Sequence, residues 1–488
     1  MLGPQQCRFL NVTYDVSEAS AWNHEGWDKL WLYNLHYFDD LNAAEAEQRV
    51  NWHRGLVARW VAENSPGVGN GWEPYTLSLR IVNWMKWALA GNSMESDWLE
   101  SLALQLRWLR SRLEWHLLGN HLWANAKALV FGGLFFEGDE ADAWLVEGLA
   151  IIERELAEQV LEDGGHFERS PMYHAIVVGD LLDLVNAAAA WPGRISSITS
   201  TKWVETAESM LLWLRGMSHP DGRIGFFNDA AFDIAPDYAA LAEYAAHVGV
   251  LPAPETEVGR ILKFPQTGYV RLEQKEAICL LDVAPVGPDY LPGHAHADTL
   301  SFELSVYRQR IIVNGGTSRY GAGAERLRER GTAAHSTVQI DGADSSEVWG
   351  GFRVARRAHP FGLEVEETPD CIDIACAHDG YRRLDGRPVH RRRWHWSDGL
   401  LEVVDVIEGG FREAVARFHL HPDVSIERNG NRGYLRLPSG RLLRWQVPEG
   451  QVAVAGSIWC PEFGLSVSTQ CLEVRFLGPS VRTRFSWN

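Results

Sequence analysis

The sequence is poor in cysteine, with six in 488 residues, at positions 7, 279, 371, 376, 460 and 471. None forms a Cys-x-x-Cys pair, so zinc-ribbon and thioredoxin chemistry are excluded, and so sparse a set makes no disulfide scaffold. Most of these cysteines read as buried thiols. Glycine (45) and proline (21) are at ordinary levels, which excludes a fibrous chain. No uninterrupted apolar run approaches the ~20 residues of a membrane helix; the longest, 126–136, is short and holds Lys127. The first 15 residues lack a basic start followed by an apolar stretch, so no secretory signal is expected there. There is no P-loop, dinucleotide-binding glycine fingerprint, G-x-S-x-G elbow or H-E-x-x-H, and no strict solenoid repeat.

What is present is unevenly distributed. The net charge of −18 divides into −19 for residues 1–257 and +1 for residues 258–488. Of the 22 tryptophans, 16 precede residue 214. These shifts predict two domains, 1–250 and 258–488, joined by a linker at 250–257 around Leu251-Pro252-Ala253-Pro254. The first part reads as helices. Leu77, Ile81, Trp84, Met85 and Trp87 fall at helical spacing, and further helices are predicted over 96–118, 121–136, 140–160, 172–190, 200–216 and 236–248. Short breaker clusters between them imply antiparallel hairpins, either a bundle or an α/α toroid. The second part reads as short strands, among them 268–273, 277–283, 299–307, 310–313, 371–377 and 400–407, with recurrent turn signals that argue for an antiparallel sandwich.

Four segments gather polar residues where elements begin or end. Asn120 and His121 open a helix after Gly119, where free N–H groups favour anions; the pair reads either as a carboxylate site or as an Asn cap beside a surface histidine. In the run from His166 to His174, Ser170-Pro171 marks a helix start and puts Tyr173 and His174 in its first turn. Tyr173 is a candidate acid or base, or a packed ring with its hydroxyl at the rim. Gly293-His294-Ala295-His296-Ala297-Asp298 holds two histidines that share a face if extended, or take separate tasks if the segment turns. His335 precedes another strand and, with His296, could begin a metal site to which Asn314 adds an amide oxygen, a poor zinc ligand beside a carboxylate. Arg319 and Arg326, and further on Arg353, belong to basic clusters suited to carboxylate or sulfate, or to a solvated ion-paired face. Nucleic acid is not expected as a partner of so acidic a chain.

In this order the motifs (Asn-His at a helix start, S-P-M-Y-H, G-H-A-H-A-D, A-A-H-S-T-V, and R-F-H-L-H-P at 417–422) resemble the heparinase II/III-like polysaccharide lyases, relatives of alginate and glycosaminoglycan lyases. L-Y-N-L-H-Y-F at 32–38 and E-V-W-G-G-F-R at 347–353 resemble the branch found among bacterial surface-polysaccharide genes. The resemblance implies an N-terminal α/α toroid, a C-terminal antiparallel β-sandwich and an active site in the cleft between them. It implies β-elimination at a uronic acid of an acidic polysaccharide or oligosaccharide. Asn120 and His121 would neutralise the carboxylate, and Tyr173 and His294 would act as acid and base. Arg169, His174, Arg319, Arg326 and Arg353 would contact substrate. His296, Asn314 and His335 would hold a structural divalent metal, zinc before manganese or calcium, although relatives often carry Asp at the place of Asn314; no organic cofactor is implied. The substrate class points to the periplasm or the exterior, and the missing export signal to the cytoplasm. Two other readings stand beside this one: a glycoside hydrolase on a toroid fold, and a noncatalytic glycan-binding protein of surface-polysaccharide assembly.

Overall fold

The computed structural model describes residues 1–251 and 260–487, so most of the expected linker lies outside the described residues. The chain forms two compact units: Met1–Gln159 with Asp180–Val204, and Val160–Gly179 with Glu205–Asn488.

The first unit is built on helices. Lys29–Tyr37, with its N-terminus capped by Asp28, and Val50–Glu63 precede those expected from spacing. Val50–Glu63 escapes a run-based reading because its buried face, His53, Leu56, Val57 and Trp60, is interleaved with arginines. Pro74–Leu89 buries Leu77, Ile81, Trp84, Met85 and Trp87 as the spacing predicts. The predicted helix over 96–118 stops at Arg110. Just beyond, the side chain of Asn125 accepts the Glu114 N–H at 2.9 Å, holding that segment in another course. Gly119–Phe135 and Asp139–Gln159 then pack unusually closely. A Cβ on Gly133 would lie 2.5 Å from that of Leu145, and one on Gly148 would lie 2.9 Å from the Ala126 carbonyl oxygen. Only glycine allows this approach.

Pro171–Ala190 is long and apolar enough, by length and composition, to cross a membrane, although Asp180 and Asp183 interrupt its apolar run. Most of that stretch is buried within the protein. Asp183 pairs with Lys86 at 2.9 Å and with Lys127 at 2.6 Å, the pattern of a core helix that needs its charges neutralised.

The second unit is a pair of antiparallel sheets. Among the described residues one sheet runs, in spatial order, Pro360–Glu367, Cys371–His378, Val389–Ser397, Leu400–Glu408, Ser480–Ser486, Leu442–Gln446, Arg432–Arg436, Ser425–Asn429. The other runs Gln451–Trp459, Val467–Phe476, Ala414–Leu420, Gln309–Val313, Phe302–Val306, Ala277–Asp282, Tyr269–Gln274, Ile261–Phe264, with Val338–Ile340 also pairing to Ala414–Leu420. Alternate residues from both sheets meet in one core: Ile372, Ile374, Trp394 and Trp396 from the first, Leu272, Cys279, Phe302 and Leu304 from the second. Truncating Trp394 to alanine there costs about 3–5 kcal/mol. The second sheet is buried on its other face too, where Tyr269, Ile278 and Leu280 pack with Trp213, Met217 and Phe227. That double burial explains why Ala277–Asp282 is buried at every position and reads as a continuous apolar run rather than an alternation.

Candidate active site

The residues singled out from the sequence fall into two groups, one in each unit. In the first unit Asn120 and His121 occupy the first turn of Gly119–Phe135, as expected. The Asn120 amide is 3.5 Å from the Tyr75 hydroxyl, and the His121 ring lies 4.5 Å from the Tyr75 ring. His121 Nδ1 faces the Glu114 carboxylate at 3.1 Å. The other Glu114 oxygen accepts from Asn125 at 3.1 Å. With Nδ1 donating to Glu114, Nε2 of the partly exposed His121 is left for another partner. Asn120 and Asn125 sit about 1.4 turns apart on the helix, and Gln159 ties its start by donating to the Gly119 carbonyl at 3.0 Å.

In the second unit the loop before Pro171–Ala190 and the segment 293–298 converge. Ser170 opens the helix: its hydroxyl accepts the Tyr173 N–H at 3.2 Å and donates to the Asp229 carbonyl. This fixes Tyr173 in the first turn. The Tyr173 ring stacks on His294 with centroids 3.9 Å apart and planes 18° from parallel. Its hydroxyl is 2.7 Å from that of Tyr320. His294 donates from Nδ1 to the buried Glu168 carboxylate, which leaves Nε2 as the basic nitrogen. Burial and the Asp229 charge push the Tyr320 phenol well above its usual range, so it keeps its proton and can donate it to the Tyr173 oxygen. Two residues here take left-handed backbone conformations, Arg169 at φ 58° and Asn228 at φ 55°. They are tied together, Asn228 donating to the Arg169 carbonyl at 3.1 Å. Such local strain held by side-chain bonds is characteristic of positioned functional groups.

Segment 293–298 is not a strand, and its two histidines face different neighbours, the second of the two courses open to it. His296 is fully buried; its Nε2 donates to Asp229 at 2.8 Å and its Nδ1 faces His335 Nε2 at 3.3 Å. Arg326 grips the same aspartate through both terminal nitrogens and holds its carboxyl well below the usual range. Burial lowers His296 to about 4 and His335 to about 3, so both are neutral at pH 7.

These positions do not fit the metal site anticipated at His296, Asn314 and His335. Asn314 uses its amide on the protein itself: Nδ2 donates to the Phe226 carbonyl at 2.9 Å and to Ser301 at 3.2 Å, and Oδ1 accepts from the Ser336 N–H at 2.9 Å. The facing imidazoles therefore have a neutral, already engaged amide as their anticipated third member, and the two complete no mutually close set of three His, Cys, Asp or Glu ligands among the described residues.

Several expected substrate contacts are likewise turned inward. His174 is buried, with Nε2 donating to the Met210 carbonyl at 2.9 Å and Nδ1 accepting from the His166 N–H at 3.2 Å. Arg169 donates to the carbonyls of Thr267 and Phe167 at 2.9 and 3.1 Å. Arg326 is buried against Asp229. Arg319 and Arg353 are exposed, the former paired with Glu325 at 2.9 Å and the latter over the Trp349 ring. The sequence reading missed Glu168, Tyr320, Asp229, Tyr75 and Glu114. Glu168 stood inside the quoted 166–174 segment, and its acidic side chain three residues before the helix start at Pro171 was the available signal; the others carry none.

Comparison with known proteins adds to this geometry. Residues 18–253 match the family described as heparinase II/III N-terminus, and residues 257–488 the family described as heparinase II/III-like, C-terminal. A heparin-sulfate lyase of Bacteroides stercoris is 22% identical over 366 residues, covering 70% of this chain; the chain spans about half of that protein's length, 52%. An FtsZ-localized protein C of Caulobacter vibrioides is 26% identical over 440 residues, covering 84% of this chain and 71% of that one. The crystal structure of a heparinase III superposes with a TM-score of 0.79 at 18% identity, covering 97% of this chain and 80% of that one. The expected fold is thereby established: an N-terminal α/α toroid followed by a C-terminal antiparallel β-sandwich.

Proposed function

We propose, from the premise that this chain belongs to the heparinase II/III-like family, that it is a polysaccharide lyase cleaving a uronic-acid-containing glycan by β-elimination. The observation that carries the proposal is the stacked pair of Tyr173 and His294, a phenol and an imidazole 3.9 Å apart, the imidazole oriented by Glu168 and the phenol bonded to a second phenol. In this reading one of the two takes the C5 proton of the uronate. The electron pair left behind forms the C4–C5 double bond as the bond from C4 to the glycosidic oxygen breaks, and the other group protonates that oxygen. The configuration at C5 sets which group does which. Asn120 and His121 neutralise the carboxylate as charge builds at C5, and donors arranged in advance for that charge contribute the largest part of the rate. Exposed Arg319 and Arg353 are the candidates for further carboxylate or sulfate groups. Such a substrate places the activity in the periplasm or outside the cell.

A hydrolase needs two carboxyl groups flanking the scissile bond, one of them a free acid. In the second-unit cluster Glu168 is committed to His294 and Asp229 to Arg326, which favours elimination over hydrolysis. The test is to incubate uronate polymers with the protein and follow near-ultraviolet absorbance from the new double bond. Tyr173→Phe is expected to lower that rate by about 10²–10⁴-fold with an unchanged unfolding curve. A full rate in the variant, or a saturated product from the native protein, overturns the assignment.

A further inference from the structure

The solvent-facing side of the sheet that begins with Pro360–Glu367 carries a cluster that the proposed reaction does not use. Cys371 and Asp373 are two residues apart on one strand, and Asp373 registers directly with His395 on the next. The intervening Ile372, Ile374, Trp394 and Trp396 point into the sandwich core, so alternation turns all three polar side chains outward onto one patch. His395 Nδ1 lies 3.1 Å from each Asp373 oxygen. Cys371 Sγ lies 3.8 Å from Asp373 Oδ2 and 3.3 Å from the Thr368 hydroxyl. The three ligand atoms lie within 4.8 Å of one another, the one such set of His, Cys, Asp or Glu among the described residues.

We propose that Cys371, Asp373 and His395 form a binding site for a thiophilic divalent cation of the zinc class, with water in the fourth position. A tetrahedral zinc bound through sulfur, nitrogen and oxygen separates its nitrogen and oxygen ligands by about 3.4 Å and its sulfur and oxygen ligands by about 3.6 Å. The observed 3.1 and 3.8 Å bracket those spacings, so the ion needs only small side-chain adjustments on two rigid, paired strands. Thiolate, imidazole and carboxylate together suit zinc and exclude the hard, oxygen-seeking magnesium and calcium. Glu366, in register with Asp373 on its other side, adds negative charge. Arg393 opposes binding, since its guanidinium sits 2.7 Å from Asp373 Oδ1. It is more than half exposed and can swing into solvent, and it contacts Oδ1, leaving Oδ2, the oxygen nearest the thiol, to His395 and Cys371, the other two proposed ligands.

The test uses the whole protein and exploits the cysteine distribution: the other five thiols are buried, so native-state alkylation reports Cys371. After dialysis against chelator, one equivalent of Co²⁺ is expected to produce a thiolate-to-cobalt charge-transfer band that Zn²⁺ abolishes by displacement. Zn²⁺ is also expected to protect Cys371 from alkylation, and Mg²⁺ to leave it reactive. The band is expected to vanish in Cys371→Ser, to weaken in His395→Ala and to saturate at lower Co²⁺ in Arg393→Ala. All three changes are on the surface, and unfolding curves of the metal-free variants confirm that each is folded. A folded native protein that gives no charge-transfer band, or a band that persists in Cys371→Ser, overturns the proposal. These readouts are independent of turnover, so the lyase reading stands or falls separately.

Discussion

Two regions of the second unit contain nearly the same wiring. Near the stacked tyrosine, His335 bonds His296 at 3.3 Å, His296 bonds Asp229 at 2.8 Å, and Arg326 clamps that aspartate. Inside the sandwich, His378 bonds His390 at 3.3 Å, His390 bonds Asp405 at 2.8 Å, and Arg392 clamps it with contacts of 2.7 and 3.0 Å. The surroundings differ. Arg392 lies among Phe302, Trp394 and Phe418 and donates onward to the carbonyls of Leu300 and Ser336, so its job is to tie the two sheets together. Arg326 lies over Tyr320 and Phe352, the two rings that also neighbour the partly exposed His294. A paired histidine chain ending on a clamped aspartate is therefore a way of burying charge in this fold, and it is evidence neither of catalysis nor of a metal. What sets the first region apart is what has been added to it: Glu168 orienting His294, and two phenols joined by a hydrogen bond.

The comparison can be broken first through stability. Asp405→Ala leaves Arg392 buried without its partner and is expected to cost about 3–5 kcal/mol by urea unfolding. Asp229→Ala is expected to cost the same through Arg326. A large loss in one region and none in the other would show that the matching geometry hides different energetics. A smaller effect sharpens the contrast: Glu168→Gln keeps the shape but removes the charge that orients His294. It is expected to slow elimination on the order of 10²-fold, about 2.7 kcal/mol, without a shift in unfolding midpoint. Equal losses of rate and stability would make Glu168 another structural carboxylate.

The smallest expected effect concerns pH. Burial holds His296 near 4 and His335 near 3, and it also lowers His378 and His390. The unfolded chain binds these protons near pH 6.5, while the folded one refuses them until its own lower values. Between those limits the unfolded state holds more protons, so stability falls as pH falls below about 6.5 and the loss levels off below the folded-state values. Each histidine contributes a slope of up to about 1.4 kcal/mol per pH unit. His335→Gln and His378→Gln are each expected to flatten the curve by one such increment between pH 4 and 6, measured by denaturation at several pH values.

Much of the architecture was legible because burial leaves a periodic trace. The alternation of Cys371-Ile372-Asp373-Ile374 gave its strand, and Ser170-Pro171 gave the start of the helix that holds Tyr173. The site was legible only in part. The H-A-H segment announced itself by composition, but which histidine did which task depended on partners 126 and 67 residues away, Glu168 and Asp229. Arg326, expected to contact substrate, proved to be a buried clamp because its partner lies 97 residues off. Local pattern records which face of an element is buried; it holds no record of which distant charge meets it there.

The close approach at Gly133 has a consequence for how the first unit tolerates change. Asn120 sits 13 residues up the same helix, a lever of about 20 Å at 1.5 Å per residue. A side chain inserted at Gly133 would pry that helix away from Leu145, and a tilt of only ~3° would swing the far end by ~1 Å, a misplacement that can cost 10²-fold in rate. The fulcrum of the turn that holds Asn120 thus lies at the opposite end of its own helix, where drift in sequence would displace that turn from a distance.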